Sequence, residues 1–433
     1  MRLCRNGVAS NVPRPGGELA RDSPVPYLQG PASSSPNLLR VIPATTGRTV
    51  PRSRLRLVAV VASAAVCLLA ALCYTAQPDP LAALTHLPPW VWAVPGLILV
   101  VWQLRRPPRR AAFAALLLWV LYLGVFEEET RSLLRRPTMS VKAFDEARAQ
   151  GKGLRLVSAN CAGGQPGVAL EAAGYDPDIL VLEESPPDQA VADLAAQLFG
   201  GSARVAQGPD VAIIARGQVA HIPRKGAWYL TAARAALSSG VTVSVIGAHL
   251  TPPVFELGLL SSDYWRAQQR NRKIRRDQTQ EIAHLAAELA QSGPAILAGD
   301  LNCPAGDASL RPLLPLLHDA FREGGVGWGN TVLNEYPVMR FDQVWCSGEL
   351  RAVRVRSVRS RISDHRIVVA DLVARESTKE ERAAPPLAPS PPPPRRPWRA
   401  PPPPRTAGTS PSARRPRPQS PTASPRRPTR YPW

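Results

Sequence analysis

Cysteines are scarce in this sequence, and they form no recognisable motif. Six cysteines occur in 433 residues, with no Cys-x-x-Cys pair and no spacing typical of a metal-binding motif. The scarcity excludes the small disulfide scaffolds of secreted proteins. The composition also excludes collagen-like and coiled-coil classes.

The middle of the chain lacks net charge, although the whole chain does not. Residues 138–374 contain 24 Lys and Arg against 24 Asp and Glu, while the formal charge of the full sequence is +20. The excess lies in residues 1–53, 54–137 and 385–433. The high isoelectric point is therefore no argument for nucleic-acid binding by the central segment, although a local basic patch is not excluded.

Both ends of the chain lack the pattern of a folded core. Residues 1–53 are rich in Pro, Gly, Ser and Arg and show no period, which predicts disorder or an extension that is not translated. Residues 385–433 contain 19 Pro and 10 Arg and no acidic residue. We expect residues 375–433 to form a disordered tail that samples polyproline II. It is either inert or in contact with anionic polymers or lipid.

Three apolar runs between residues 54 and 127 predict about three transmembrane helices. They are Leu55–Tyr74, Leu87–Leu104 and Ala111–Phe126. A helix needs about 20 residues to span a bilayer, with a range of roughly 17–25. The first run meets that length, the second just meets it, and the third is short. The alternative is a helical hairpin buried in the protein.

Basic residues flank these runs asymmetrically. They are Arg52, Arg54 and Arg56 before the first run and Arg105, Arg106, Arg109 and Arg110 between the second and third. The positive-inside rule puts both clusters in the cytoplasm. Three spans then predict a multi-pass protein of a bacterial cell membrane, with everything after Phe126 extracytoplasmic. A lipoprotein signal ending at Cys73 is the alternative, but Leu72 stands where a small residue is expected.

After a linker at 128–152, residues 153–374 alternate strand-like and helix-like segments. Predicted strands are Leu154–Ala159, Ile179–Leu182, Val211–Ala215, Val241–Ala248, Ala295–Ala298, Gln343–Cys346 and Ile367–Leu372. Predicted helices are Val191–Leu198 and a long one from about Trp265 to Leu289. The pattern indicates one α/β or α+β domain of about 220 residues.

Polar residues with useful chemistry follow three of these strands. Asn160 ends the first, the pair Glu183-Glu184 ends the second, and His249 ends the strand of residues 241–248. Carboxylate oxygens are the ligands that hard divalent cations prefer. Each residue also has a structural explanation when taken alone: a turn Asn, a helix N-terminal acid pair and a structural His.

Three further signals come later in the chain. The sequence GDLN places Asp300 and Asn302 two residues apart after a buried strand, which puts both side chains on one face if the strand continues. Asp342 opens a strand, where a turn residue is the ordinary explanation. The sequence SDH supplies an adjacent Asp364 and His365 before the last strand.

The order and spacing of all six signals resemble the endonuclease/exonuclease/phosphatase superfamily. That superfamily includes pancreatic deoxyribonuclease, abasic-site endonucleases, sphingomyelinases and inositol-polyphosphate phosphatases. GDLN and SDH in this order are the specific parts, and the matching stretches run from Leu154 to Leu372. The resemblance implies a four-layered α/β sandwich with two mixed sheets packed face to face. It also implies hydrolysis of a phosphoester with a divalent metal, usually Mg²⁺, with Mn²⁺ as the alternative.

The resemblance implies a metal site. Glu184 looks like the metal-binding acid, Asn160 lies beside it, and Asp364 resembles a further carboxylate of the site. The sequence departs from the family at one point, because Glu183 stands where the family usually has Gln. That departure leaves open which of the two neighbouring acids is the ligand, and position favours Glu184.

The resemblance also implies catalytic roles. Asp300 resembles the residue that orients or deprotonates the attacking water, and Asn302 the amide that contacts the phosphoryl group. Asp342 resembles the acid that holds the imidazole of His365. The attraction of that acid is expected to raise the pKa of His365, so that the charged ring stabilises developing negative charge. His249 matches a strand-end His that some branches use for the phosphate or leaving group.

The combination of membrane segments and this domain resembles a bacterial membrane-bound subgroup that includes proteins of teicoplanin resistance. For that subgroup the implied substrates are lipid-linked phosphates or pyrophosphates of the cell envelope, which makes a phosphorylated lipid and the membrane the expected partners. The alternative is an extracytoplasmic nuclease or sphingomyelinase-like phosphodiesterase, for which nucleic acid is a less favoured substrate. A more remote alternative is a non-catalytic envelope-binding protein. The oligomeric state is not indicated.

A basic run lies at the start of the long predicted helix. It consists of Arg270, Arg272, Lys273, Arg275 and Arg276. The run predicts either a solvated helix face or a patch that binds phosphate or lipid headgroups.

Overall fold

The computed structural model describes residues 52–105, 107–200, 204–254 and 258–375. The predictions of disorder for residues 1–53 and 375–433 fall almost wholly outside these residues and stay predictions. Arg106 of the second basic cluster lies outside them as well.

The chain begins with a bundle of apolar helices. Helix α1 is Arg52–Ala76, a 3₁₀ turn is Asp79–Leu81, α2 is Ala82–Thr85, α3 is Pro89–Gln103 and α4 is Arg109–Phe126. Two of these helices, α1 and α4, are long and apolar enough to cross a membrane. Helix α3 has 15 residues, or roughly 22 Å at 1.5 Å per residue, which is less than the ~30 Å of a bilayer core.

The three predicted spans are therefore two helices and a bent pair. The segment Asp79–Thr85 meets Pro89–Gln103 at a bend of 65°, so a third span exists only if the two count together. The two prolines at 88 and 89 explain the break, because proline suits the first turn of a helix and cannot continue one.

A chain of hydrogen bonds joins the helices of the bundle. Trp119 on α4 donates its indole N–H to the Ser63 hydroxyl on α1 at 3.0 Å, and that hydroxyl donates to the Gly96 carbonyl on α3 at 3.1 Å. All three residues face the inside of the bundle, while large apolar side chains such as Val58, Leu69 and Leu117 face outward. The outer surface of the bundle is therefore apolar, as in helices that face lipid.

Two short helices connect the bundle to the domain. Helix α5 is Glu128–Ser132 and α6 is Val141–Ala149. The hydroxyl of Ser140 caps α6 by accepting the N–H of Ala143 at 3.2 Å. The segment predicted as a linker therefore contains helical structure.

The domain contains two six-stranded sheets. The strands are β1 Gly153–Asn160, β2 Ile179–Glu183, β3 Val205–Gln207, β4 Val211–Ala215, β5 Gly217–Ile222, β6 Leu230–Leu237, β7 Thr242–His249, β8 Ala295–Asp300, β9 His318–Asp319, β10 Asp342–Cys346, β11 Leu350–Val358 and β12 Ile367–Ala374. Their order is β11-β12-β1-β2-β4-β3 in the first sheet and β5-β6-β7-β8-β10-β9 in the second. The pairs β1–β2 and β7–β8 are parallel and the others antiparallel, so both sheets are mixed.

Helices cover the outer face of each sheet. Helices α7 (Pro166–Ala173) and α8 (Asp188–Phe199) pack on the first sheet, and α9 (Ser262–Ala290) packs on the second. A short helix, α10 (Ala320–Gly324), follows β9. Apolar side chains of both sheets fill the space between them. The predicted α/β sandwich of two mixed sheets with outer helices is confirmed.

Candidate active site

The predicted site residues meet at one edge of the sandwich, and strand pairing explains why. Asp300 at the end of β8 is the direct cross-strand partner of both His249 on β7 and Asp342 on β10. In the other sheet, Asn160 at the end of β1 pairs with Glu183 at the end of β2. Because the two sheets pack face to face, these ends lie opposite one another.

Asp300 is at the centre of the cluster and is almost fully buried. Its Oδ1 atom accepts the backbone N–H of Asn302 at 2.9 Å. Its Oδ2 atom accepts from Asn160 Nδ2 at 3.2 Å and lies 3.8 Å from both His249 Nε2 and His365 Nδ1. Burial and repulsion by Asp342 raise the pKa of Asp300, while the two imidazoles oppose that rise.

A glycine is required immediately before Asp300. Gly299 has φ of 142°, and a Cβ there would lie 2.0 Å from the carbonyl oxygen of Ala248. Only glycine combines that backbone angle with such a close approach to the neighbouring strand. The Gly of GDLN thus allows β7 and β8 to lie close together where their side chains enter the site.

Asn302 reaches the site by a different route from the one predicted. Its φ is 52° and the extended strand ends at Asp300, so the condition for a shared face, a strand that continues to Asn302, is not met. Its Nδ2 atom donates to the Leu250 carbonyl at 2.9 Å. Asn302 is therefore fixed beside Asp300 by a tight turn, and its predicted role towards a phosphoryl group stays a prediction.

Asn160 connects the two sheets by bridging two carboxylates. Its Nδ2 atom donates to Glu184 Oε1 at 3.1 Å as well as to Asp300. Its Oδ1 atom accepts the N–H of Ala162 at 2.9 Å, and the N–H of Gly163 donates to Glu184 Oε2 at 2.5 Å. In this arrangement Asn160 presents N–H groups, and not an oxygen, to the acids.

The neighbouring acids Glu183 and Glu184 face different environments. The side chain of Glu183 is fully buried, and its Oε1 accepts the Ser158 hydroxyl at 2.8 Å. Its Oε2 has no hydrogen-bond partner among the described residues. Burial and repulsion by Asp342 hold its pKa well above the usual value. Glu184 is only half-buried and belongs to the cluster, which supports the positional preference for Glu184.

His365 lies beside two acids. Its Nδ1 atom is 2.9 Å from Asp342 Oδ2 and 3.2 Å from Oδ1. Burial disfavours the charged ring, but Asp342 and Asp300 outweigh it and hold the pKa of His365 well above its usual value. The predicted contact between Asp342 and His365 is therefore present.

Asp364 lies at the margin of the cluster. It is exposed, and its side chain has no hydrogen bond or ion pair within the described part of the chain. Its backbone carbonyl accepts the N–H of Asn334 at 2.8 Å, and its charge adds to the rise in the pKa of His365. Its role as a metal ligand stays a prediction.

Asp210 is a site residue that sequence reasoning missed. One of its carboxylate oxygens lies 2.5 Å from His249 Nδ1. Burial opposes charge on His249, but the hydrogen bond to Asp210 and the charge of Asp300 prevail and raise its pKa to about 9. Asp210 follows Gly208 and Pro209, so it has the sequence signature of a turn. Its position directly before the buried strand β4 was the available signal.

The order of these residues along the chain matches a known family. Residues 157–365 match the sequence model of the endonuclease/exonuclease/phosphatase family. Members of the family are hydrolases that act on phosphoester bonds. A search of the curated proteins found no match to this chain.

The chain is also similar to several solved structures. The endonuclease/exonuclease/phosphatase from Beutenbergia cavernae is 15% identical, with 52% of this chain and 72% of that chain covered and a TM-score of 0.40. The mannosyl-6-phosphatase of Bacteroides thetaiotaomicron is 16% identical, with 51% and 99% covered and a TM-score of 0.39. The beta toxin of Staphylococcus aureus is 16% identical, with 50% and 99% covered and a TM-score of 0.36.

Family members typically depend on a metal, and the side chains here fit one. Glu184 offers carboxylate oxygens at the half-buried mouth of the cluster, which suits a hard divalent cation. A second set, Asp300, Asp342 and His365, places one ligand atom from each residue within 4.8 Å of the others. The cluster therefore contains one group of three residues that could hold an ion, with the carboxylate of Glu184 linked to it through Asn160.

Part of the basic run on α9 has a different use from either that was predicted, while Arg270 and Lys273 are exposed as a solvated face would be. Arg272 is almost fully buried and donates to Asp307 at 2.8 Å and to the Thr85 hydroxyl at 2.5 Å. Arg276 pairs with Asp79 at 2.5 Å. These arginines bind the connection between α1 and α3. For these residues, both the solvated face and the open phosphate patch were wrong.

Gln77, in the connection between α1 and α3, also contacts the domain. Its Nε2 atom donates to the Gly306 carbonyl at 2.6 Å, and its Oε1 atom accepts the N–H of Ala308 at 2.6 Å. The loop that it grips, residues 303–308, directly follows Asn302. The helical bundle is thus attached to the loop that follows Asn302 in the candidate active site.

Proposed function

We propose that this chain is a membrane-anchored, metal-dependent phosphoesterase. Its proposed substrate is a lipid phosphate or pyrophosphate of the cell envelope, hydrolysed outside the cytoplasm. The observation that carries the proposal is the position of Asp300 Oδ2, which lies 3.8 Å from two imidazole nitrogens and within hydrogen-bond distance of Asn160.

Phosphoester hydrolysis needs an acceptor for the proton of water and positive charge near the phosphoryl oxygens. Asp300 accepts the proton or orients the water. The imidazolium groups of His365 and His249 supply positive charge, because nearby acids hold their pKa values high. Asn302 positions the phosphoryl group, and Asp342 keeps the ring of His365 in place.

Mg²⁺ is the proposed cofactor, with Mn²⁺ as the alternative. Glu184 would hold it, with Asn160 and Asp364 as the other sequence-predicted ligands. A divalent cation supplies charge neutralisation of the phosphoryl oxygens when bound. Asn160 would have to turn its amide to offer an oxygen, since its N–H groups face the acids here.

Two features of the bundle support a lipid substrate. Large apolar side chains cover its outer surface, as expected of helices that face lipid. Gln77 and Arg272 link the bundle to residues 303–308. A membrane that surrounds the bundle would therefore lie on the same side of the domain as that loop. By the charge argument above, the domain itself would be extracytoplasmic.

Product release by the detergent-solubilised full chain tests the proposal: phosphate from a pyrophosphate, phosphocholine from sphingomyelin, or shortened strands from DNA. Substrates would be a polyprenyl pyrophosphate, sphingomyelin and double-stranded DNA, each with Mg²⁺ or with EDTA. We expect metal-dependent release from the polyprenyl substrate, at least 100-fold reduced in Asp300→Asn. Asp145→Asn, an exposed acid on α6, is the matched control and should retain activity.

Each other outcome has a definite meaning. Cleavage of DNA alone, with a steep dependence on salt, would replace the lipid substrate with a nucleic acid. Cleavage of sphingomyelin alone would indicate a phosphodiesterase. Equal function of wild type and Asp300→Asn in cells would favour a non-catalytic envelope-binding protein.

A further inference from the structure

A second cluster of metal-ligating side chains lies at the far end of β10 from the active site. Asp342 opens that strand and Cys346 closes it, which separates the two positions by roughly 13 Å at 3.3 Å per residue. His318 on β9 and Glu323 on α10 complete the cluster. None of the three belongs to the cluster around Asp300.

The three ligand atoms lie close together. His318 Nε2 lies 3.1 Å from Glu323 Oε2 and 3.2 Å from Cys346 Sγ, and all three atoms are within 4.8 Å of one another. Around a tetrahedral ion with bonds of about 2.0–2.3 Å, neighbouring ligand atoms are about 3.3–3.6 Å apart. Shifts of a few tenths of an ångström would bring the set to that geometry.

The Nε2 atom of His318 faces the thiol of Cys346 and the carboxylate of Glu323 at once. A protonated Nε2 has only one proton, so it can donate to only one of them. A metal ion accepts a lone pair from all three atoms together. The Glu323 oxygen is also oriented by the N–H of Ala352 at 2.8 Å, as metal-bound carboxylates commonly are.

The fold holds the cluster in place without any local sequence motif. His318 and Cys346 are direct partners across the β9–β10 pair. Glu323 follows His318 by five residues because α10 begins at once, with the Asp319 carboxylate accepting the N–H of Phe321 at 2.9 Å. Cys346 comes 28 residues after His318, which is why the sequence shows no metal-binding spacing.

We propose that His318, Glu323 and Cys346 bind Zn²⁺ at a site separate from the catalytic one. The set of sulfur, nitrogen and oxygen donors suits a borderline-soft ion, whereas Mg²⁺ prefers oxygen alone. Cys346 is fully buried and His318 is 32% exposed, so the imidazole side is open for water as the fourth ligand.

The bound ion would fasten α10 to the sheet. The carbonyls of Phe321 and Gly325 at this helix accept N–H groups of Arg135 at 2.9 Å, so α10 also contacts the segment that leads from the bundle. Asp319, which caps α10, pairs with buried Arg340 at 2.6 Å. Zinc is thus assigned a structural role at the junction of domain and linker.

Zinc binding by the metal-depleted full chain in detergent tests this inference. Excess Mg²⁺ is present throughout to occupy the catalytic site. We expect one Zn²⁺ per chain, and Co²⁺ in its place should show a thiolate-to-metal charge-transfer band. His318→Gln and Cys346→Ser should each weaken zinc binding at least 10-fold and abolish that band. His284→Gln, an exposed His on α9, is the control that should change neither.

Unfolding temperature provides a second measurement. Zn²⁺ should raise it in the wild type and in His284→Gln but not in His318→Gln, since an ion that binds only the folded state stabilises it. Because His318 is partly exposed, its variant is the safer one if Cys346→Ser does not fold. Zinc stoichiometry and the cobalt band unchanged in His318→Gln would overturn the assignment, whatever the activity towards phosphoesters.

Discussion

The Nδ1 atom of His249 lies 2.5 Å from a carboxylate oxygen of Asp210, and this contact determines the charge of the ring. Burial alone would lower the pKa of His249, but Asp210 and the nearby Asp300 raise it to about 9. His249 is therefore charged at neutral pH. The last residue of strand β7 thus owes part of its charge to a turn residue 39 positions earlier in the chain.

Activity should fall as pH rises through about 9, because His249 then loses its proton. Asp210→Asn removes the negative charge that favours the imidazolium, so the pKa of His249 falls. The alkaline limb of kcat/KM against pH should move to lower pH by at least one unit. Asp193→Asn, an exposed acid on α8, should leave the limb in place. An unshifted limb in Asp210→Asn would separate His249 from catalysis.

Neutralising Glu183 should have little effect on activity, whereas neutralising Glu184 should have a large one. Glu183→Gln keeps the shape of a side chain whose raised pKa already favours the neutral form, so activity should stay within about threefold of wild type. Glu184→Gln removes a carboxylate of the cluster and should weaken the apparent Mg²⁺ affinity by about 10- to 100-fold, as loss of metal-site partners commonly does. Activity titrated against Mg²⁺ distinguishes the two. The reverse pattern would make Glu183 the ligand.

Glu183→Gln should also stabilise the fold at neutral and alkaline pH. The folded-state pKa of Glu183 is raised above its unfolded value near 4.3, so wild type loses stability as pH rises from there. The variant has no such loss. Unfolding temperatures of the two proteins should agree near pH 4 and diverge upward from about pH 5. A constant difference across the range would contradict the raised pKa.

Asp342→Asn should reduce kcat more than it changes KM. The carboxylate lies 2.9 Å from His365 Nδ1 and favours its charged form, so the amide leaves a ring that is less often protonated and less firmly placed. Loss of positioned acid–base groups typically costs 10²- to 10⁴-fold in rate. Steady-state kinetics and the pH profile would be measured together. An unaltered profile with lower kcat would indicate a purely structural role for Asp342.

The strands that the sequence predicted were those with continuous apolar runs. Residues 179–182 and 211–215 are buried on both faces and are short continuous apolar runs in the sequence. Strand β6, Leu230–Leu237, was missed because half of its residues are alanine, which has low β propensity. Strand β11 was missed although its arginines alternate with apolar residues, because a strand so basic resembles a solvated loop.

The site was predictable to the extent that its chemistry is local in sequence. Motifs at strand ends placed Asp300, His365 and Glu184 because a sheet brings its strand ends together. The partners of those residues depend on tertiary packing. Asp210 gave only the signature of a turn, and no spacing could indicate that Gln77 would meet the loop at residues 303–308.

Two arginines one helical turn apart should differ sharply in their contribution to stability. Arg272 and Asp307 are both almost fully buried, so Arg272→Ala leaves a buried carboxylate without its partner. Such a loss typically costs about 3–5 kcal/mol. The pair between Arg276 and Asp79 is about one-third exposed on each side, and Arg276→Ala should cost less than about 1 kcal/mol. Unfolding in detergent by denaturant measures both.

Loss of the buried Arg272–Asp307 pair should also loosen the attachment of the bundle to the domain. Because Arg272 contacts Thr85 as well as Asp307, its loss should free the connection between α1 and α3 from the loop after the active site. Arg272→Ala should therefore speed proteolysis at residues 77–88, while Arg276→Ala should change it much less. Equal cleavage in both variants would show that Arg272 is not needed to hold the connection between α1 and α3 on the domain. If Arg272→Ala loses activity on a lipid substrate but keeps it on a soluble phosphoester, the contact serves delivery of the lipid.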